Sequence, residues 1–156
     1  MTGHDRPVAT WSPHLVSAAG IEVRAGVDRV ELAEFKRVMH TGGVAFLRTV
    51  FTERELGHCC GRLDRLAARF TAKEAATKAL GTGLRGLSLT EIEVISHPSG
   101  QPELHLAGRA ADRAAELGVR SISVSLTHTS RAAEAFVVAL VNSNTLISTT
   151  HKETSL

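Results

Sequence analysis

Leu66-Ala67-Ala68-Arg69-Phe70-Thr71-Ala72-Lys73-Glu74-Ala75-Ala76-Thr77-Lys78-Ala79-Leu80-Gly81-Thr82-Gly83 reads as one helix running into a glycine turn. Ala, Leu, Lys and Glu are strong helix formers and no Pro interrupts them. Gly81 and Gly83 supply the C-terminal stop. At about 100° per residue, Leu63, Leu66, Ala67 and Phe70 share one face, with Glu74 inside or at the edge of that arc. A carboxylate beside an apolar stripe is costly unless it is paired or holds a cation. Lys78, one turn on, is within its reach. A surface ion pair on an amphipathic helix and a cation-holding carboxylate are both compatible with this helix taken alone.

The segments on either side define an α+β domain. Ile21 to Val30 alternates apolar and polar residues as a half-buried strand does. Glu31 to about His40 is helical, with Leu32, Phe35 and Val38/Met39 on one side, and Gly42-Gly43 is expected to break it. Thr52-Glu53-Arg54-Glu55 has the form of a capping box opening a short helix. Beyond the long helix, Leu89 to Ile95 and Pro102 to Leu106 read as strands joined by the turn His97-Pro98-Ser99-Gly100. An Ala-rich helix follows from Gly108 to Leu117, then strands at Ser121–Leu126 and Ala135–Val141. Helices mixed with antiparallel strand pairs predict a small antiparallel sheet packed with a long central helix. Residues 1–20 are expected to be a polar, flexible leader, 21–141 the domain, and 142–156 a polar, flexible tail.

Composition narrows the function. At 156 residues the chain is long enough for one well-cored domain. The net charge of +2 and the 4% aromatic content, with no Tyr, give neither a basic groove nor a stacking platform, so a nucleic-acid partner is not expected. Cys59 and Cys60 are adjacent, so they cannot form an ordinary structural disulfide together, and they lack zinc-site spacing. Reduced thiols, the lack of an apolar run of about 20 residues and a polar N-terminus point to a cytoplasmic, non-membrane protein.

Three constellations can carry chemistry. Asp28 follows Gly26-Val27 at the end of a strand; it either caps the next helix or projects a carboxylate from the sheet edge. Asp28 and Glu74 together would supply two hard oxygen donors of the kind Mg²⁺ takes, the remaining positions going to water and phosphate oxygens. Arg69, Lys73 and Lys78 add positive charge suited to phosphate, and Gly81-Thr82-Gly83 either caps the helix or offers backbone N–H groups to a phosphate. Ser125-Leu126-Thr127-His128-Thr129 is either a tight hairpin or a set of donors for an anion. The chain contains no Gly-x-Ser-x-Gly elbow, His-Glu-x-x-His or Walker A loop.

Taken in order, Gly26-Val27-Asp28-Arg29-Val30-Glu31-Leu32, Phe51-Thr52-Glu53-Arg54-Glu55-Leu56, the Leu66–Gly83 helix, Gly100-Gln101-Pro102 and Ser123-Val124-Ser125-Leu126-Thr127-His128-Thr129 resemble the holo-acyl-carrier-protein synthase family of small 4′-phosphopantetheinyl transferases. The likeness covers residues 21–141. It implies transfer of the phosphopantetheine arm of coenzyme A to a serine of an apo acyl carrier protein, with release of adenosine 3′,5′-bisphosphate. It further implies that Asp28 and Glu74 are Mg²⁺ ligands and that Lys78 lies beside the pyrophosphate. Thr127, His128 and Thr129 would belong to the coenzyme A site. Arg69, Lys73, Thr77, Gly81 and Gly83 match the same helix motif and join that site by resemblance. Glu74, directly or through a metal-bound water, is the candidate acceptor for the serine proton. Relatives of this type imply a homotrimer with active sites between subunits. An acidic carrier protein implies a basic docking surface, for which Lys36, Arg37 and Arg48 are candidates. The competing readings are a non-catalytic carrier-docking module and a Mg²⁺-dependent hydrolase of coenzyme A or a nucleotide.

Overall fold

The computed structural model describes residues 20–142 together with the backbone of Leu15–Val16. A four-stranded antiparallel sheet has the order β1-β2-β6-β5, built from β1 (Leu15–Val16), β2 (Ile21–Glu31), β5 (Val119–His128) and β6 (Ala132–Asn142). A separate antiparallel hairpin is formed by β3 (Ile92–Ser96) and β4 (Pro102–Leu106). The helices are α1 (Leu32–Val50), α2 (Glu53–Cys59), α3 (Leu63–Ala79) and α4 (Gly108–Glu116). A single 3₁₀ turn, Leu89–Glu91, precedes β3. Two residues of the expected leader, Leu15 and Val16, pair with Val23 and Glu22 and so cover part of the β2 edge. The rest of the leader and the tail beyond Asn142 lie outside the described residues.

Helix α3 crosses the sheet on its alanines. Ala72, Ala75, Ala76 and Ala79 are essentially inaccessible and pack with Ile92, Val94, Leu104, Ala135 and Val137. Small side chains here bring the helix backbone close to the strands. The opposite face of α3 carries Leu66, Ala67 and Phe70 against Leu32, Phe35, Val50 and Phe51. The Phe35 and Phe70 rings stand 5.3 Å apart, a geometry that adds modestly to the burial of two large rings.

The first helix is longer than its glycines suggest. Gly43 does leave helical geometry (φ 55°, ψ −148°), but the helix resumes and runs to Val50. Both halves bury apolar residues in one cluster, Phe35 from the first and Phe46, Leu47 and Val50 from the second. Burial of this shared face bends the chain at Gly43 instead of ending the helix there. The capping box forms as expected: the Thr52 Oγ1 accepts from the Glu55 N–H at 3.2 Å, and the Glu55 carboxylate accepts from the Thr52 N–H at 2.9 Å.

Candidate active site

Alternation along β2 sends Gly26 and Asp28 toward α3 and Val27 and Arg29 to the opposite face. Asp28 pairs in register with Ala135 of β6, which in turn pairs with Leu126 of β5. Asp28 does not cap α1; the N-cap position is Glu31, whose side chain makes no cap bond. Instead its Oδ1 accepts a hydrogen bond from Lys78 Nζ at 2.7 Å, and the same ammonium donates to the Val27 carbonyl at 2.9 Å. Lys78 therefore reaches the β2 edge and ion-pairs with Asp28, not in the simple i, i+4 pair with Glu74 that its spacing allows.

Among the described residues, Asp28 Oδ2 is buried and has no N–H or O–H donor besides the Glu74 carboxyl, which can donate only when protonated. The Glu74 carboxyl abuts Asp28, so a hydrogen bond joins the two acids only when one is protonated. Burial first, and then the neighbouring Asp28, push the Glu74 pKa up to about 7, with Lys78 partly opposing the shift. Two carboxylates converging on one spot around a buried oxygen form an arrangement that a cation relieves. Among the described residues no cluster of three or more His, Cys, Asp or Glu could hold a metal, so the protein's share of such a site is this acidic pair. One or two carboxylates, with water and phosphate oxygens completing the shell, is the donor set of Mg²⁺, and the residues fit it.

A second polar cleft lies on the β5 side of α3. Its volume is about 400 Å³, and it is lined by His58, Arg65, Arg69, Ser96, Pro102 and His128 among others. Arg69 is 6% exposed; it donates to the Ser96 hydroxyl at 3.0 Å, while its Nε is buried with no acceptor among the described residues. His128, near the end of β5, stands 3.8 Å from Asp64, whose carboxyl is held at about 2, chiefly by its hydrogen bond from Arg62. The Arg65 and Arg69 guanidinium groups and the His128 imidazole give this cleft a cationic lining suited to an anion. Arg65, one helical turn before Arg69, could have been found from that i, i+4 spacing; Ser96 carries no such signal, because only the β3–α3 packing brings it there.

The two clusters lie around different sides of α3. Arg69 and Lys78 are nine residues apart on α3, hence about 180° apart around its axis. Glu74 and Lys78 serve the β2 side; Arg69 and His128 serve the β5 side.

Five residues expected at the coenzyme A site are engaged elsewhere. Lys73 is fully buried and donates to Glu55 (2.6 Å), the Val50 carbonyl (2.7 Å) and the Leu89 carbonyl (3.0 Å). Burial lowers its pKa, with Glu55 opposing the shift. Three acceptors use all three donors of the ammonium, so Lys73 joins α1, α2 and the 3₁₀ turn instead of facing a ligand. Thr77 is buried, and its hydroxyl donates back to the Glu74 carbonyl at 2.8 Å. Gly81 (φ 71°) terminates α3: its N–H donates to the Lys78 carbonyl and the Thr82 N–H to the Thr77 carbonyl, both at 3.0 Å. This is a Schellman closure, and the Gly83 N–H adds a longer bond to the same Thr77 carbonyl (3.3 Å). The glycine N–H groups are thus committed to the helix end. Thr129 Oγ1 accepts from the Arg131 and Ala132 N–H groups at 3.1 Å and so shapes the β5–β6 hairpin, whereas the Thr127 and His128 side chains are exposed. Together with Arg29, Arg131 and Glu134, residues Thr127–Thr129 border a further open groove of about 490 Å³.

Residues 24–141 match the family model of the 4′-phosphopantetheinyl transferase superfamily. A holo-[acyl-carrier-protein] synthase of Herpetosiphon aurantiacus is 44% identical over 122 residues, covering 74% of this chain and 96% of that one. One from Dehalococcoides mccartyi is 45% identical over 114 residues, covering 73% and 95%. Among solved structures, the Neisseria meningitidis holo-[acyl-carrier-protein] synthase superposes with a TM-score of 0.69 at 34% identity, covering 74% of this chain and 96% of its own. The Helicobacter pylori enzyme, solved in complex with coenzyme A, gives 0.67 at 28% identity, covering 74% and 98%. With the acidic pair, its lysine and the cationic cleft carried on that shared fold, the chain belongs to the 4′-phosphopantetheinyl transferase superfamily and, within it, to the holo-[acyl-carrier-protein] synthases.

Proposed function

We propose that this protein transfers 4′-phosphopantetheine from coenzyme A to a serine hydroxyl of an apo acyl carrier protein, with Mg²⁺ held by Asp28 and Glu74, and releases adenosine 3′,5′-bisphosphate. The observation that carries this reading is the buried Asp28 Oδ2 beside Glu74, with Lys78 at hand. Bound there, Mg²⁺ would neutralise pyrophosphate charge and polarise the phosphorus under attack. The serine oxygen bonds to the pantetheine-side phosphorus, and the bond to the bridging oxygen breaks, that oxygen leaving with the adenosine bisphosphate. Lys78, half-exposed on a long flexible stem, leaves Asp28 and meets the charge growing on the leaving phosphate. Glu74 is assigned as the acceptor of the serine proton.

The nucleotide phosphates are assigned to the Arg69–His128 cleft. Because that cleft and the acidic pair lie on opposite sides of α3, a complete site takes the acidic pair from one subunit and the cleft from another. The outward sheet face supports such an assembly: Val27 is 61% exposed and Phe136, its register partner, 48% exposed. A homotrimer, as the resemblance implies, would cover that face. Lys36, Arg37 and Arg48 are exposed on α1 beside Val38 and Val44, a basic and apolar surface suited to an acidic carrier protein, although Glu34 pairs with Arg37 at 3.7 Å.

Incubation with coenzyme A, Mg²⁺ and apo acyl carrier protein tests the reading by mass spectrometry. A carrier mass gain of one phosphopantetheine is expected. Free phosphopantetheine would indicate hydrolysis, and no change in either molecule would indicate a docking module; both overturn it.

A further inference from the structure

Gly26 brings the β2 backbone close to the α3 backbone. A Cβ built on it would lie 1.9 Å from the Ala75 carbonyl oxygen and 2.8 Å from the Ala79 backbone nitrogen. Both are helix backbone atoms, which no rotamer change can move aside. The position is not among those with positive φ, so glycine is required here for space alone. Ala75 and Ala79 are the immediate successors of Glu74 and Lys78, and Asp28 lies two residues beyond Gly26 on the same strand face. The contact thus lies beside each of the three groups of the acidic site.

We infer that Gly26 is a positioning residue: its missing side chain sets the β2–α3 separation, and through it the distance between the Asp28 and Glu74 carboxylates, matching them to a small divalent cation. The inference rests on the metal assignment proposed above. Any side chain at position 26 moves the strand from the helix by at least about 1 Å, because non-bonded carbon and oxygen need more than about 3 Å. Mg²⁺ binds oxygens at about 2.0–2.1 Å in a strict octahedron, whereas Ca²⁺ tolerates about 2.3–2.6 Å and looser geometry. A widened pair therefore loses affinity for small ions and shifts toward larger ones.

The test is Mn²⁺ binding followed by electron paramagnetic resonance with coenzyme A present, and its competition by Mg²⁺ and Ca²⁺. In Gly26→Ala the Mn²⁺ affinity is expected to fall about 10–100-fold, with Ca²⁺ gaining on Mg²⁺ as competitor. Gly57→Ala, where an added Cβ meets nothing within 4 Å, is the matched control and keeps wild-type binding. In the Gly26→Ala background, Asp28→Glu adds a methylene and restores much of the Mn²⁺ affinity; in the parent protein the same substitution weakens it about 10-fold or more. Should Gly26→Ala fail to fold, Asp28→Glu alone decides, since a separation held rigid cannot take the longer acid. Unchanged Mn²⁺ affinity in Gly26→Ala, or in Asp28→Glu alone, overturns the role of Gly26 while leaving the metal assignment standing. Absence of Mn²⁺ binding to the parent protein overturns that assignment instead.

Discussion

Lys78 Nζ stands 2.7 Å from Asp28 Oδ1, fifty residues away in the chain, and leaves the buried Asp28 Oδ2 with only the Glu74 carboxyl beside it among the described residues. In the free protein the lysine offsets the charge of Asp28, while burial and crowding against Asp28 keep Glu74 protonated up to about pH 7. Removing any one of the three groups should therefore unbalance the site without dismantling the fold, because none of them is in the apolar clusters.

Asp28→Ala and Glu74→Ala are each expected to lower the transfer rate about 100-fold or more while keeping the far-ultraviolet circular dichroism of the parent. Lys78→Ala should lower kcat more than it raises the coenzyme A KM, since its interaction grows with the leaving-group charge. Steady-state kinetics with apo carrier protein decide; a KM effect alone would assign Lys78 to ground-state binding.

The Glu74 pKa sets a pH dependence with an unusual sign. In the folded, metal-free protein Glu74 holds its proton up to about pH 7, against 4.5 for the ordinary group. Between those values the folded state binds more protons than the unfolded chain, so stability falls as pH rises from 4.5 through about 7. Urea midpoints measured with chelator at about pH 5 and about pH 8 should show that fall, and Glu74→Gln should remove its contribution. Mg²⁺ competes with the same proton, so its affinity should rise over this range and then level off.

Lys73 and Glu55 form a fully buried pair that also satisfies the Val94 and Thr52 N–H groups. Lys73→Ala strands the Glu55 charge and should cost about 3–5 kcal/mol by denaturant unfolding. The fraction that folds should bind coenzyme A normally. Weakened binding with little loss of stability would instead place Lys73 at the phosphates.

Subunit complementation tests the divided site. Asp28→Ala and Arg69→Ala chains, each impaired alone, should regain activity when co-assembled, because a mixed oligomer contains some interfaces with both intact halves. A Phe136→Asp chain should sediment as a smaller species and lose transfer activity. Full activity in a monomer would place the whole site within one subunit.

Much of the fold was legible because its signals are local. Period-2 alternation marked β2, the Thr52–Glu55 capping box marked α2, and the uninterrupted run of helix formers marked α3, each resting on contacts within a few residues. Asp28, Glu74 and Lys78 were legible as candidates because an acid at a strand end or beside an apolar stripe is costly without a partner. The continuation of α1 past Gly43 was not legible, because it depends on Phe35 and Phe46 sharing a cluster with Phe70 of α3.

The chain's own residue order determined which helix and which strands form, and which acids and bases need partners. Only the packed structure decided which partners they have. Lys73 and Lys78 lie in one short motif, yet helical rotation and the crossing of α3 over the sheet bury the first against Glu55 and leave the second half-exposed at Asp28. Side-chain chemistry is a property of the residue, whereas burial, charge balance and separation arise from elements distant in sequence meeting at one place.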